Sequence, residues 1–262
     1  MDSYLPLTEI SIKRSLLQSL SINSLSLNQV SSPIGIIYQT SIALQLANGN
    51  LEKAQQINQT IINKISLVNN QTGLKLIVNQ NHFGLLEFLI EQKEINIWLQ
   101  KLPKLLIKNY SLSLSNHYST DLKDEFFTLQ YAHARCCSLL RLGHLDKLIQ
   151  LKTLDFNQLA WFWLLPDPIP FAQILWQPKE EKELIEQIIK TIDDIDSVKS
   201  MKIAEDLSKA FLKFEQYCRI WGDVKRQNPT LAQARLGLIA IVQFLLRYLL
   251  KEKLGLIPLT EL

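Results

Sequence analysis

Apolar positions along most of this chain recur every three or four residues, the spacing of helices that bury one face. From Leu51 to about Ser66, Ala54, Ile57, Ile61, Ile62 and Ile65 share a face, and Asn50 can cap its start. Later segments read the same way: Asp124 to Leu142, stopping at Gly143, then Glu180–Thr191, Met201–Trp221 and Leu231–Leu254. Leu207, Phe211, Phe214, Cys218 and Trp221 form one stripe that Gly222 ends, while Asn228 and Pro229 supply a cap and a first helical residue. The front third is less uniform. Ser32-Pro33 predicts a helix start, with Ile37, Ser41, Leu44 and Gln45 at helical spacing and Asn48-Gly49 as its end. Alternation from Leu74 to Val78 predicts a short strand, a second fits Gly84 to Ile90, and a helix from Glu94 to Lys108 is interrupted at Pro103. Serine-rich Tyr110 to Asp121 reads as a linker, and the stretch from Trp161 to Pro178, dense in aromatics and proline, as irregular. The pattern therefore predicts a mainly α protein: a small α+β domain over 1–109, a linker over 110–121, and an all-α helical bundle over 122–262.

Composition agrees with a folded helical chain. Hydrophobic residues make up 47% of the 262, against eight glycines and nine prolines, too few for a many-stranded barrel or sandwich. A net charge of +3 does not name a partner. The three cysteines include the adjacent pair Cys136 and Cys137, which do not bridge readily, so a reducing, cytoplasmic setting is expected. The opening Met1-Asp2-Ser3-Tyr4 lacks the basic start and apolar run of a signal peptide. Leu236 to Leu250 is the most lipid-like stretch, but it is short and contains Gln243 and Arg247, so a buried helix is expected instead of a membrane span. His82, His117, His133 and His144 lack metal-ligand spacing, and no Gly-rich phosphate loop occurs; neither metal nor cofactor is expected.

Three stretches, in order, resemble arginyl-tRNA synthetases. The most specific is Phe127-Thr128-Leu129-Gln130-Tyr131-Ala132-His133-Ala134-Arg135, similar to the "QYAHAR" opening of that family's C-terminal anticodon-binding (DALR) domain. Phe214-Glu215-Gln216-Tyr217-Cys218-Arg219-Ile220 is similar to its "F-x-x-F-Y-x-x-C-x-V" helix. Ala234-Arg235-Leu236-Gly237-Leu238 and the closing Leu254-Gly255-Leu256-Ile257-Pro258-Leu259-Thr260-Glu261-Leu262 resemble its last helix and tail, with Pro258 and Glu261 spaced differently and Leu262 replacing a methionine. In front, Tyr38-Gln39-Thr40-Ser41-Ile42-Ala43-Leu44-Gln45-Leu46-Ala47 and Gly84-Leu85-Leu86-Glu87-Phe88 resemble parts of the family's N-terminal additional domain. The positions where the family reads the tRNA D-loop hold His82, Leu85 and Glu87, and a carboxylate in place of an amide changes both charge and donor pattern. The catalytic domain would fall between about Lys108 and Asp121, where there is only a short linker. Leu142-Gly143-His144 and Lys199-Ser200-Met201-Lys202 imitate class I synthetase motifs incompletely or in scrambled order, as chance runs do.

The resemblance implies a non-catalytic tRNA-binding adaptor or regulator, with arginine tRNA favoured. Its further partners would be a tRNA-modifying enzyme, a synthetase or another protein complex. Candidate tRNA contacts are Gln130, Tyr131, His133, Arg135, Arg235, Arg247 and Leu262. Tyr131 and Arg135 lie four apart on one face, where a ring can stack on an unpaired base beside a guanidinium; a plain surface contact or packing of Tyr131 fits the same spacing. His133 shares a side with Leu129 and Cys137, which fits a structural histidine as well as a contact. Arg235 and Arg247, with Lys225, Arg226, Lys251 and Lys253, make the last third modestly basic, either a solvated face or a nucleic-acid surface. Trp161, Trp163, Phe171 and Trp176 are core or, if exposed, anchors for a protein partner. That second use belongs to the rival reading, an interaction or assembly factor without RNA binding.

Overall fold

The computed structural model describes residues 10–20, 26–68, 75–108, 124–156 and 162–262; the linker expected over 110–121 and Trp161 lie outside them. Contacts divide the chain into two units, Glu9–Trp98 and a C-terminal unit running from Leu99 to Leu262.

The N-terminal unit contains α1 (Ile12–Leu20), β1 (Asn28–Ser32), β2 (Gly35–Thr40), α2 (Ile42–Leu46), α3 (Leu51–Val68), β3 (Ile77–Gln80), β4 (Leu86–Glu91) and the start of α4 (Gln92–Lys108). Its antiparallel sheet has the order β1-β2-β4-β3. Register places Ile36 opposite Ile90, Tyr38 opposite Phe88 and Thr40 opposite Leu86, and all six are buried. Cross-strand pairs of this kind are the unit of sheet stability.

The helix predicted from Ser32-Pro33 is a β-hairpin. Ser32 ends β1, and the β-branched and aromatic run Ile36-Ile37-Tyr38 favours a strand over a helix. Gly35 lets β4 approach the start of β2, because a Cβ there would stand 2.0 Å from the Ile90 carbonyl oxygen. Only after Thr40 does a short helix form. Asn50 caps α3 as its position suggested, its Oδ1 accepting the Lys53 N–H at 3.0 Å.

The C-terminal unit contains α5 (Asp124–Leu145), β5 (Gln150–Leu151), β6 (Trp163–Leu165), α6 (Lys179–Asp193), α7 (Ser200–Tyr217), α8 (Asp223–Gln227) and α9 (Pro229–Tyr248), which runs on as a π-helical stretch Leu249–Lys253. Asn228 Oδ1 accepts the Leu231 N–H and Pro229 opens α9. This helix is apolar and long enough to cross a membrane, yet 83% of its most apolar window is buried inside the protein. It is the core of the bundle, with α5, α6 and α7 packed around it. Gly143 does not stop α5, which continues to Leu145; a Cβ there would meet Leu236 Cδ1 at 2.8 Å, so the glycine serves close helix packing.

Candidate nucleic-acid interface

Helix α5 carries the site motif and has two unlike sides. Leu129, Gln130, Ala132, His133, Cys136, Cys137 and Leu140 are buried; Phe127 and Tyr131 are 57% and 41% exposed. Residues three and four apart share a helix face, so the motif's consecutive letters divide between core and solvent.

The inner letters hold the chain's own C-terminal tail. Gln130 donates through Nε2 to the Ile257 carbonyl at 2.9 Å and accepts the Leu259 N–H at 2.9 Å. His133 Nδ1 lies 2.7 Å from the Leu259 carbonyl, which can only accept, so Nδ1 carries the proton. Nε2 then accepts from Gln243 Nε2 at 3.0 Å. Burial, partly offset by the bond to Leu259, lowers the His133 pKa to about 4, with Arg247 and Arg141 adding to the depression. Two turns on, Arg141 Nη1 donates to the Thr260 carbonyl at 3.0 Å and stands 3.3 Å from a Glu261 carboxylate oxygen.

The outer letters form a small aromatic platform. Phe127 and Tyr131 stack with centroids 6.1 Å apart and planes 14° from parallel. One turn further, the Arg135 side chain is 40% exposed, with Nε and Nη2 both 2.6 Å from Glu215 Oε1 on α7. This bond to Glu215 holds the guanidinium firmly charged.

Several expected contacts are corrected by burial. Gln130 and His133 face the tail and core. Arg235 is inside the bundle, Nε donating to Glu181 Oε2 at 2.8 Å and Nη1 to the Arg219 carbonyl at 2.5 Å. Glu181 Oε1 in turn accepts the Leu175 and Trp176 N–H groups, so both charges are hydrogen-bonded. Arg247 is buried and donates to the Phe156 carbonyl at 2.6 Å. These are not surface cations. The partner-binding expectation for Trp163, Phe171 and Trp176 is likewise corrected, for all three are buried; Trp163 Nε1 donates to the Pro166 carbonyl, and Phe171 packs where Gly237 leaves room. Leu262 is 62% exposed, but its tail is tied to Arg141, about 15 Å of helix beyond Tyr131. Sequence reasoning passed over Phe127, Arg141, Gln243 and Glu215. Phe127 was legible from its place four residues before Tyr131, and Arg141 from its place on the His133–Cys137 stripe. Glu215 and Gln243 reach α5 only through tertiary packing.

In the N-terminal unit, Glu87 Oε1 accepts from Gln39 Nε2 and Asn81 Nδ2, both at 2.8 Å, so the carboxylate braces the sheet. His82 and Phe83 at the adjoining turn are exposed, their ring centroids 3.8 Å apart.

The family model for the DALR anticodon binding domain matches residues 129–262. The chain belongs to this family. It is 26% identical over 203 residues to the arginine–tRNA ligase of a Synechococcus strain, covering 71% of this chain and 31% of the ligase. It is also 30% identical over 148 residues to the arginine–tRNA ligase of Moorella thermoacetica, covering 54% of this chain and 23% of that enzyme. The chain thus spans about a third or less of the length of these curated relatives. No solved structure matches it. In the DALR family member described here, the matched segment begins at Leu129, inside the helix that carries the aromatic platform and the tail-binding groups.

Proposed function

We propose that this DALR-family chain is a non-catalytic tRNA-binding adaptor or regulator, favouring arginine tRNA and acting in the cytoplasm. Phe127 and Tyr131 carry this reading: two exposed, stacked rings with Arg135 one turn away, on the first helix of an anticodon-binding bundle. Aromatic faces with a neighbouring guanidinium suit unstacked bases of an RNA loop. The similarity to two arginine–tRNA ligases supports the preference for arginine tRNA. An adaptor would present this tRNA to a modifying enzyme, a synthetase or another protein complex.

Binding to arginine tRNA, to other tRNAs and to an arginine tRNA without its anticodon loop tests the proposal. Phe127→Ala and Tyr131→Ala are each expected to cost about 1–3 kcal/mol with intact arginine tRNA and nothing once the loop is gone. The wild-type protein should show no arginine-dependent exchange of pyrophosphate into ATP. Equal, weak binding to every tRNA, indifferent to both substitutions, would end the anticodon-loop reading. That result would favour the second reading, an interaction or assembly factor without RNA binding. One observation supports this rival: Arg135 is ion-paired while Arg235 and Arg247 are buried.

A further inference from the structure

The cation beside the aromatic platform is already engaged. Glu215 projects from α7, its side chain 22% exposed, and its Oε1 accepts from Nε and Nη2, one edge of the Arg135 guanidinium. A guanidinium carries five N–H groups, so the Nη1 pair and one Nη2 hydrogen remain for another acceptor. A phosphate taking them would approach to about 5–7 Å of the Glu215 carboxylate. Like charges at that spacing repel, and they lie inside one Debye length at physiological salt. The phosphate must therefore share the arginine against this repulsion or displace the carboxylate. The stacked Phe127 and Tyr131 rings carry no such penalty.

We propose that Glu215 is a specificity-determining counter-charge: by occupying Arg135 it weakens binding through phosphate alone and leaves tight binding to RNA that also offers an unpaired base to the Phe127–Tyr131 platform. The proposal rests on the RNA-binding reading above and adds the means by which that face rejects duplex RNA. Duplex bases are stacked on one another and present backbone, so a duplex meets only the neutralised cation. An anticodon loop exposes base faces that use the rings without contesting Glu215. The ion pair also ties α5 to α7, and a glutamine at 215 can keep accepting from Arg135. Glu215→Gln thus removes the charge while retaining the hydrogen bond.

The test titrates a labelled arginine anticodon stem-loop and a loop-free RNA duplex of equal length against wild type, Glu215→Gln, Arg135→Ala and the double variant. Glu215→Gln is expected to tighten duplex binding about tenfold and stem-loop binding about threefold, in line with Coulomb repulsion at these distances. The loop-to-duplex preference should therefore fall, and the salt dependence should steepen by about one phosphate contact. The steeper salt dependence needs the freed guanidinium and should be absent in the Arg135→Ala background, although removing the bare carboxylate there still relieves some repulsion. Unchanged preference and salt slope in Glu215→Gln would overturn the proposal, and so would a steeper salt slope that persists without Arg135. Weaker binding by Glu215→Gln at unaltered thermal stability would overturn it too, making Glu215 a residue that orients Arg135. If Tyr131→Ala weakens stem-loop binding while Glu215→Gln changes nothing, the counter-charge role alone fails. If neither wild type nor Glu215→Gln binds either RNA, the RNA-binding reading falls and this proposal with it.

Discussion

His133 is wholly buried, proton on Nδ1, between a carbonyl of the tail and the amide of Gln243. A second proton at Nε2 would put donor against donor and a charge in the core, which is why its pKa lies near 4 against 6.5 for an ordinary histidine. With the folded value depressed, the unfolded chain binds the extra proton first. Stability from this group is therefore complete above pH 6.5 and declines as pH falls toward 4. The full loss is roughly 3 kcal/mol. Urea unfolding between pH 7.5 and pH 4.5 is expected to show this decline in wild type and a shallower one in His133→Gln. Parallel pH profiles for the two proteins would remove His133 as the cause. Gln130 and His133 are thus residues of the motif whose measurable role is to hold the tail.

At the scale of elements, helices were legible by their apolar pattern: α3, α6 and α7 follow a three- and four-residue spacing and α9 is a long apolar run, with Asn50 and Asn228 as caps. The hairpin of β1 and β2 was not, because Ser-Pro is a good helix start and equally a good turn, and only the partner strand β4 decides between them. In α5 the spacing put Tyr131 and Arg135 on one face and His133 with Leu129 and Cys137 on another, but left open whether Tyr131 packs. The fold exposes Tyr131 and buries Gln130 and His133 with Leu129, Ala132 and Cys136, so two of that helix's four candidates are core. Arg235 and Arg247 were unreadable for another reason: a buried arginine is recognisable only by its acceptor, and Glu181 and the Phe156 carbonyl come from distant segments. Gly237 shows the converse, a helix-weakening residue kept for contact. A Cβ there would lie 2.5 Å from Ile169 Cγ2 and 3.0 Å from a Phe171 ring carbon. Gly237→Ala improves intrinsic helix propensity by about 1 kcal/mol but overpacks α9 against this segment. The expected net effect is a loss of about 1–3 kcal/mol in thermal or chemical unfolding. A stabilised variant would mean that the segment around Phe171 yields without cost.

For the whole molecule, the question is how a chain of net charge +3 would hold a polyanion. Its cations in the C-terminal unit are extensively engaged: Arg135 with Glu215, Arg141 with Glu261, Lys202 with Asp206, Lys209 with Glu205, Lys225 with Asp146, Arg226 with Asp223 and Lys253 with Asp196. Exposed pairs of this kind add little stability, but each places a carboxylate where a phosphate would otherwise settle. With Arg235 and Arg247 buried as well, neither can add a phosphate contact beside Arg135 on the Tyr131 face. Stacking on Phe127 and Tyr131 releases no counterions, so affinity supplied by those rings should survive added salt. We expect arginine tRNA binding to have a log–log salt slope of only about −1 to −2, corresponding to one or two phosphate contacts. Tyr131→Ala should lower affinity by a similar factor at low and high salt, leaving this slope unchanged. Fluorescence anisotropy across a salt series measures both quantities on the same samples. A slope steeper than about −4 would indicate an extended cationic surface, and stacking on α5 would then be secondary to phosphate contacts elsewhere on the chain.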